Sequence, residues 1–249
     1  MIQLSRKMPV NSPTDEHFAG CLICGEELIY QDEHRSLTCE LCGQPGLSNV
    51  ACPKDHYVCD TCHSESAILS IRRMLQQSQE TDPICLLQAA FDDPKVYMHG
   101  PEHHTIVPFV LLTAYKNAGG DIDYSKAMAE AYQRSKKVPG GICGSWGVCG
   151  ASVGAGIFAS IATGSNPLNK DKWGIPMQLT SQILARLSQV GGPRCCKRTT
   201  RIAIEEAARF SGEVLGIPLV ASTPGCSYHL RNQQCLLDDC PYYPPQASE

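Results

Sequence analysis

Paired cysteines near the start of the chain most constrain what this sequence can fold into. The chain has 15 cysteines among 249 residues, and seven of them lie between residues 21 and 62. Three pairs in this segment are each separated by two residues: Cys21 and Cys24, Cys39 and Cys42, and Cys59 and Cys62. Because a Cys-x2-Cys turn lets two thiolates reach one ion, this spacing predicts metal sites. Few apolar side chains accompany the pairs, so bound metal is expected to supply the folding free energy of this segment.

Eight side chains in this segment have the number and type needed for two four-ligand zinc sites. The simplest pairing joins Cys21, Cys24, Cys39 and Cys42 in one site, and Cys52, His56, Cys59 and Cys62 in the other. An interleaved pairing of the two sets is the alternative. We predict a structural role for the zinc, and the functional alternatives are a surface for a partner protein or a nucleic-acid contact.

The rest of the chain is predicted to be helical, which gives a mostly α fold class with an N-terminal zinc-ribbon-like module. Apolar side chains recur at helical spacing in six segments: 64–77, 104–118, 124–136, 149–163, 176–190 and 199–215. We divide the chain into a flexible N-terminus (1–19), a zinc-binding cysteine module (20–63) and a helical domain with a cysteine-rich end (64–249). Cys85 lies alone in a short apolar stretch and is predicted to be a core residue.

A glycine-rich turn between Cys143 and Cys149 leads into one of the predicted helices. Cys149 is expected in the first helical turn, where the helix dipole and free N–H groups stabilise a thiolate. We therefore predict that the two cysteines act as a reactive thiol pair, or as metal ligands. Small residues from Gly150 to Gly156 leave one face of this helix bare, which allows either close helix packing or a cofactor on that face.

Two adjacent cysteines, Cys195 and Cys196, are flanked by the cations Arg194, Lys197 and Arg198. Nearby positive charge favours the thiolate form, and the same cations are predicted to hold an anionic substrate. Because vicinal side chains diverge, we expect only one of the two cysteines to bind a given metal.

Three further cysteines, Cys226, Cys235 and Cys240, lie in an irregular C-terminal segment. They lack Cys-x2-Cys pairs, so the pattern is more typical of iron–sulfur ligation than of zinc knuckles. With Cys195 or Cys196 as a further ligand, they predict an iron–sulfur cluster, with a four-iron cluster (4Fe-4S) favoured. A third zinc site is the main alternative.

Three histidines and a carboxylate, His99, Glu102, His103 and His104, lie at the start of a predicted helix. Such a group can bind metal or transfer protons. We predict that His103 or His104 transfers protons in a reaction, and solvated histidines at a helix start are the alternative.

Composition limits which classes of partner and which cellular compartment are expected for this chain. The net charge of −4 does not support attraction of the whole molecule to nucleic acid. No apolar run reaches the roughly 18 residues of a membrane span, and the first residues lack the apolar core of a secretory signal. We therefore predict a cytoplasmic protein. Thiols stay reduced in that compartment, which favours metal or redox roles over structural disulfides, and so many thiols suit an anaerobic host.

Several blocks of this sequence resemble an uncharacterised cysteine-rich domain family of anaerobic archaea and bacteria. The blocks are MHGPEHHTIVP, VPGGICGSWGVCGA, GGPRCCKR and the terminal cysteines ending in CPY. Members of that family are sometimes attached to SAM-dependent methyltransferase or radical-SAM proteins, and the resemblance implies no reaction. The turn is also distantly similar to redox-active proteins with a C-GCAxxG-C-C pattern, although Cys149-Gly-Ala departs from the Gly-Cys-Ala order.

The sequence as a whole predicts an iron–sulfur and thiol protein for redox or sulfur-transfer chemistry. Maturation of a sulfur-containing or metal cofactor is one such role, performed by an oxidoreductase or a sulfurtransferase. The alternative is a non-catalytic zinc protein that acts as an assembly factor or adaptor in a larger complex. We expect a protein partner and a small anionic substrate, and neither a membrane nor nucleic acid.

Overall fold

A computed structural model describes residues 20–223 and 225–245. The segment predicted to be a flexible N-terminus, 1–19, lies outside the described residues. None of the helices in the described ranges combines the length and the apolar character that a membrane span requires.

One β-hairpin, seven α-helices and three short 3-10 helices make up the regular structure of the described residues. Strands β1 (Ile29–Thr38) and β2 (Pro45–Ala51) pair antiparallel, from Ile29 opposite Ala51 to Thr38 opposite Pro45. The helices are α1 (Asp60–Gln77), α2 (Pro83–Phe91), α3 (Glu102–Asn117), α4 (Tyr124–Ser135), α5 (Gly150–Thr163), α6 (Gly174–Val190) and α7 (Cys196–Val214). The prediction of a mostly α fold with an N-terminal cysteine module is confirmed.

Helix α2 is not among the six predicted helical segments, and the sequence indicates only a short apolar stretch there. Asp82 begins this helix, because its side chain accepts a hydrogen bond from the Ile84 N–H at 2.8 Å. The prediction that Cys85 belongs to the core is wrong, since its side chain is exposed on the outer face of α2. The thiol lies 3.5 Å from an Asp82 carboxylate oxygen, so it contacts the polar start of the helix.

Helix α3 forms the centre of the helical part, and every side chain from Glu102 to Tyr115 is buried. It packs most closely against α5, whose small residues allow the two backbones to approach. A Cβ atom added at Gly154 would lie 2.7 Å from the carbonyl oxygen of His104 and 3.0 Å from Pro108. Close helix packing therefore fills the Gly150 and Gly154 side of the bare face of α5.

The N-terminal ends of α1, α3, α5 and α7 meet on one side of the helical part. His63 in α1 contacts Glu102 at the start of α3, and Gly150 at the start of α5 lies against the ring of His104. Cys149, which precedes α5, contacts Thr199 in the first turn of α7. Because each helix N-terminus has a partial positive charge, this side of the molecule favours anionic groups.

Candidate metal centres

The N-terminal cysteines form two four-residue groups with interleaved pairing. One group is Cys21, Cys24, Cys52 and His56, and the other is Cys39, Cys42, Cys59 and Cys62. In each group, one donor atom of every residue lies within 4.8 Å of the others. The structure thus selects the interleaved alternative over the pairing of neighbouring sets, and either group could hold one metal ion.

The β-hairpin explains why the pairing is interleaved. At the open end of the hairpin, Ala51 lies opposite Ile29. Cys52, the next residue, therefore lies close to the first cysteine pair, Cys21 and Cys24. The closed end carries Cys39, which forms a bridge with Tyr57 just ahead of the last cysteine pair. One group therefore forms at each end of the hairpin.

Distances within the groups match those expected around a single tetrahedral ion. The sulfur atoms of Cys24 and Cys52 lie 3.9 Å apart, and those of Cys42 and Cys59 lie 3.8 Å apart. His56 contributes its Nδ1, 3.5 Å from the Cys52 sulfur. Bonds of about 2.3 Å to a tetrahedral zinc ion imply sulfur–sulfur separations of about 3.8 Å. The residues present therefore fit a four-coordinate metal ion.

Local backbone structure prepares these thiols for metal binding. Gly25 and Gly43 adopt left-handed φ values of 75° and 68°, which closes the turn after each of the first two pairs. Burial opposes ionisation of Cys39, but N–H groups of Cys59, Cys42 and Leu41 outweigh it and lower its pKa to about 6. Since a thiolate is the ligand that binds metal, these hydrogen bonds favour coordination by Cys39, whereas burial raises the pKa of Cys59 and Cys62 in the same group.

The cysteine module and the helical part are joined at several points. Helix α1 begins at Asp60, so Cys62 and the predicted module boundary after residue 63 both lie within it. Asp60 accepts a hydrogen bond from the Gly140 N–H at 2.6 Å. Arg194 stacks on the ring of Tyr30 in β1, with 5.1 Å from the guanidinium carbon to the ring centroid. A metal ion bound in the module is thus fixed relative to the glycine turn and the vicinal cysteines.

Four other cysteines line a single hollow in the helical part. Cys195, Cys226, Cys235 and Cys240 surround a narrow space of about 300 Å³, including the part that opens to solvent. Three of them come from the irregular tail, and Cys195 caps the start of α7, where its sulfur accepts the Arg198 N–H at 3.4 Å. The predicted tail ligands and one member of the vicinal pair are therefore brought together. No three of these sulfur atoms lie within 4.8 Å of one another, in contrast to the N-terminal groups.

Buried cations surround this hollow. Arg198 and Arg201 line it, and their exposed fractions are 3% and 1%. The Nε of Arg198 is buried and has no hydrogen-bond acceptor in the described part of the chain. Because a buried positive charge requires a compensating anion, thiolates in the hollow fit these neighbours.

The predicted substrate-binding cations are mostly enclosed by protein. Lys197 lies 4.1 Å from the centroid of the Phe91 ring and 4.9 Å from that of Tyr228. Arg198 donates hydrogen bonds to the carbonyl oxygens of Gly191 and Pro193. The prediction that these groups hold an anionic substrate stays a prediction, and the anion nearest to Arg198 would be a thiolate of the hollow.

The other vicinal cysteine, Cys196, faces the glycine turn instead of the hollow. Its sulfur accepts a hydrogen bond from the Gly100 N–H and lies close enough to Cys149 for their charges to interact. Cys149 in turn is influenced by Cys143. The sulfur atoms therefore form two neighbouring groups, one around Cys195 and one around Cys196.

Burial changes the acidity of these thiols in the direction opposite to the one predicted. It raises the pKa of Cys196 to about 12 and also raises the pKa of Cys149 and Cys195. N–H groups and nearby cations lower these values but do not outweigh desolvation. The thiols are therefore protonated in the absence of a bound metal ion or a base.

Glu102 lies fully buried between two imidazoles. One carboxylate oxygen is 3.3 Å from His63 Nδ1, and the other is 3.4 Å from His103 Nδ1. Burial opposes ionisation of Glu102, but hydrogen bonds and charge from the two histidines lower its pKa well below its usual range. The predicted alternative of solvated histidines at this helix start is wrong, because His103 and His104 are 1% and 8% exposed.

The two predicted proton-transfer histidines have different surroundings. His104 Nδ1 lies 3.1 Å from the Val138 carbonyl oxygen, so this ring holds the glycine turn against α3. His103 Nε2 is buried with no hydrogen-bond partner in the described ranges. The role of His103 or His104 in proton transfer stays a prediction.

Two residues near these centres were not predicted. Arg201 contacts Phe91, Tyr228 and Tyr242, each between 5.3 and 5.7 Å from the ring centroid. It is one helical turn after Lys197, so a cationic stripe at i and i+4 on α7 was the available signal. His63 directly follows Cys62, the last N-terminal metal ligand. Its contact with the buried Glu102 is visible only in the fold.

No curated protein and no solved structure matches this chain. Residues 71–243 match a family described as a family of unknown function, DUF5714. The matched range begins within α1 and ends at Tyr243, so it includes the four-cysteine hollow and leaves out both N-terminal metal groups. Because this range covers more than half of the sequence, the chain belongs to the DUF5714 family.

Proposed function

We propose that this protein binds two structural zinc ions in its N-terminal module and an iron–sulfur cluster in the four-cysteine hollow. The cluster would serve redox or sulfur-transfer chemistry, such as maturation of a sulfur-containing or metal cofactor. The observation that supports the cluster most strongly is the convergence of Cys195, Cys226, Cys235 and Cys240 on one hollow. A reducing cytoplasm would keep these thiols available for metal.

The spacing of the sulfur atoms favours one kind of metal centre in the N-terminal groups and another in the four-cysteine hollow. In the N-terminal groups, the donor atoms lie as close together as one tetrahedral ion requires. One group offers four cysteines and the other offers three cysteines and a histidine, and both donor sets are typical of structural zinc. In the hollow, the sulfur atoms are farther apart. A cluster suits that spacing, because each thiolate binds a different iron atom.

Charge supports the same assignment. A metal–thiolate cluster with four cysteine ligands has a net negative charge, and the buried Arg198 and Arg201 beside the hollow would balance it. The Leu237 N–H also lies 3.4 Å from the Cys235 sulfur. Charge and hydrogen bonds at the sulfur atoms are among the properties that set the reduction potential of a cluster.

The adjacent cysteines provide a matched pair of variants for the test. Full-length protein is purified without oxygen as the wild type, Cys195→Ser and Cys196→Ser, and iron, zinc and the visible absorption spectrum are measured. We expect about four irons in the wild type and in Cys196→Ser, and a loss of iron in Cys195→Ser. Colourless wild-type protein that contains only zinc would refute the cluster.

A second candidate function is that of an assembly factor or adaptor in a larger complex. Exposed apolar side chains at the start of α6 favour it: Leu168, Trp173 and Met177 are 95%, 51% and 51% exposed. Apolar surface of this kind often marks a protein interface. Under this alternative, the wild type would contain zinc alone, and Trp173→Ala would weaken the binding of a protein partner.

A further inference from the structure

We infer that the β-hairpin of the zinc-binding module is a docking surface for a segment of a partner protein that is rich in lysine or arginine and carries apolar side chains. The surface consists of Asp32, Glu33, Glu40, Leu41 and Leu47, and we call it the hairpin surface. The inference goes beyond the proposed function, on which it rests only for the zinc ions that fold the module.

Negative charge is concentrated in the module. Residues 20–63 contain seven carboxylates and two cations, so their net charge is −5, whereas that of the whole chain is −4. The rest of the chain is therefore close to neutral. Zinc does not remove the excess, because the two groups contain seven cysteines, and seven thiolates exceed the charge of two zinc ions by about three. A module of this charge attracts a basic partner.

Several carboxylates of the hairpin are free to bind a partner. The two cations of the module are already paired, Arg35 with Asp55 at 2.8 Å and Lys54 with Glu26 at 2.7 Å. Three exposed carboxylates form no ion pair or side-chain hydrogen bond with any residue that the structure describes: those of Asp32, Glu33 and Glu40. Such groups determine the sign of the partner that a surface accepts.

Strand pairing directs an apolar side chain outward on the same hairpin. Gly46 in β2 faces the Tyr57 ring, because a Cβ atom added at this glycine would meet the Tyr57 hydroxyl. Successive residues of a strand face opposite sides, so Leu47 faces solvent, and it is 74% exposed. Its neighbour across the hairpin is the polar Ser36. This face of the hairpin therefore has no other apolar side chain beside the leucine to cover it.

A second leucine and the free carboxylates lie along the same hairpin. Leu41, in the turn that closes the hairpin, is 60% exposed and directly follows Glu40. Asp32 and Glu33 lie in the irregular part of β1, about 10 Å along the strand from the position opposite Leu47. A segment with cations to pair with the carboxylates and apolar side chains to cover the leucines fits this surface.

Charge decides against three other occupants of the hairpin surface. Nucleic acid and anionic membranes repel a module with this excess of negative charge. A second copy of the chain is disfavoured, because two modules repel each other and the rest of the chain is close to neutral. A basic segment of another protein is the occupant that the charges favour.

The test uses full-length, zinc-loaded protein and three dye-labelled peptides of equal length. One contains lysine and leucine, the second has glutamate in place of each lysine, and the third has serine in place of each leucine. Binding is followed by fluorescence anisotropy in about 0.15 M salt. We expect the lysine–leucine peptide to bind at least about tenfold more tightly than either of the others.

Two matched pairs of variants locate the binding. Glu33→Lys and Glu213→Lys change the net charge equally, and Glu213 is exposed at the end of α7. Leu47→Ser and Leu230→Ser each remove an exposed leucine, since Leu230 is 80% exposed. We expect Glu33→Lys and Leu47→Ser to weaken binding of the lysine–leucine peptide at least about fivefold, and the two control variants to change it less than about twofold.

Three outcomes would overturn the hairpin surface. The first is equal weakening by Glu33→Lys and Glu213→Lys, and the second is equal binding of the lysine–leucine and lysine–serine peptides, because either shows non-specific attraction. The third is a dimer of the wild type in light scattering that Leu47→Ser dissociates, which would assign the surface to a second copy. Zinc content is measured on the same samples, so missing zinc marks failure of the proposed function, whereas zinc-loaded protein that binds no peptide marks failure of this inference.

Discussion

Close packing of α5 on α3 makes a quantitative prediction at Gly154. Replacement of glycine by alanine inside a helix normally stabilises it by about 1 kcal/mol. At Gly154, the added Cβ would lie 2.7 Å from the His104 carbonyl oxygen, which belongs to the backbone and cannot rotate away. Overpacking of this kind costs about 1–3 kcal/mol. Because the cost exceeds the gain of about 1 kcal/mol, we expect Gly154→Ala to lower the free energy of unfolding by up to about 2 kcal/mol.

Gly174 provides the matched control for this substitution. It is the first residue of α6, and a Cβ there would meet no atom within 4 Å. Gly174→Ala should raise the free energy of unfolding by about 0.5 kcal/mol. Both variants are compared with the wild type by urea unfolding followed by helical circular dichroism. If Gly154→Ala proves as stable as Gly174→Ala, the helices do not pack as closely as described, and the placement of Cys149 beside α7 loses its basis.

Three further predictions concern the metal groups and the buried charges. Cys52→Ser should lower the zinc content by about one ion per chain, as measured by elemental analysis, whereas Cys85→Ser should retain all of it. Burial, and then the charge of Arg194, lower the pKa of His99 from 6.5 to about 4, so the histidine is neutral in the fold. The neutral His99 therefore contributes its full stability above pH 6.5, and this contribution falls by at most about 3 kcal/mol between pH 6.5 and pH 4. The free energy of unfolding of His99→Gln should depend less on pH in this window than that of the wild type. Equal pH dependence of the two proteins would contradict the assignment. Arg201→Met should keep the fold but make the reduction potential of the cluster more negative, because a neighbouring positive charge is lost. The potential is measured by redox titration, and an unchanged value would place the cluster elsewhere.

Sequence patterns predicted the helices and the metal-binding residue types because both depend on local spacing. Apolar periodicity located α3 to α7 within a few residues, and the Cys-x2-Cys turns identified the N-terminal donors. The pairing of those donors could not be predicted, because it depends on which ends of the hairpin the cysteines reach. Likewise, an apolar stretch does not show which residue faces outward, and Cys85 is exposed for that reason.

The sequence identified the cysteines of the helical part as candidate site residues. It did not predict their division into one group around Cys195 and another around Cys196. It left open whether Cys195 or Cys196 joins the tail cysteines, since only the direction of α7 decides it. It also predicted that cations would lower the pKa values of these thiols. Burial reverses that direction, and burial of a helix start is a property of the tertiary fold.

Anomalous X-ray scattering from crystals of anaerobically purified protein tests the central claim most directly. Maps are recorded on either side of the iron and zinc absorption edges. The account predicts an iron signal in the hollow among Cys195, Cys226, Cys235 and Cys240, and a zinc signal in each N-terminal group. A zinc signal in the hollow, or metal bound between Cys196 and Cys149 instead, would contradict it.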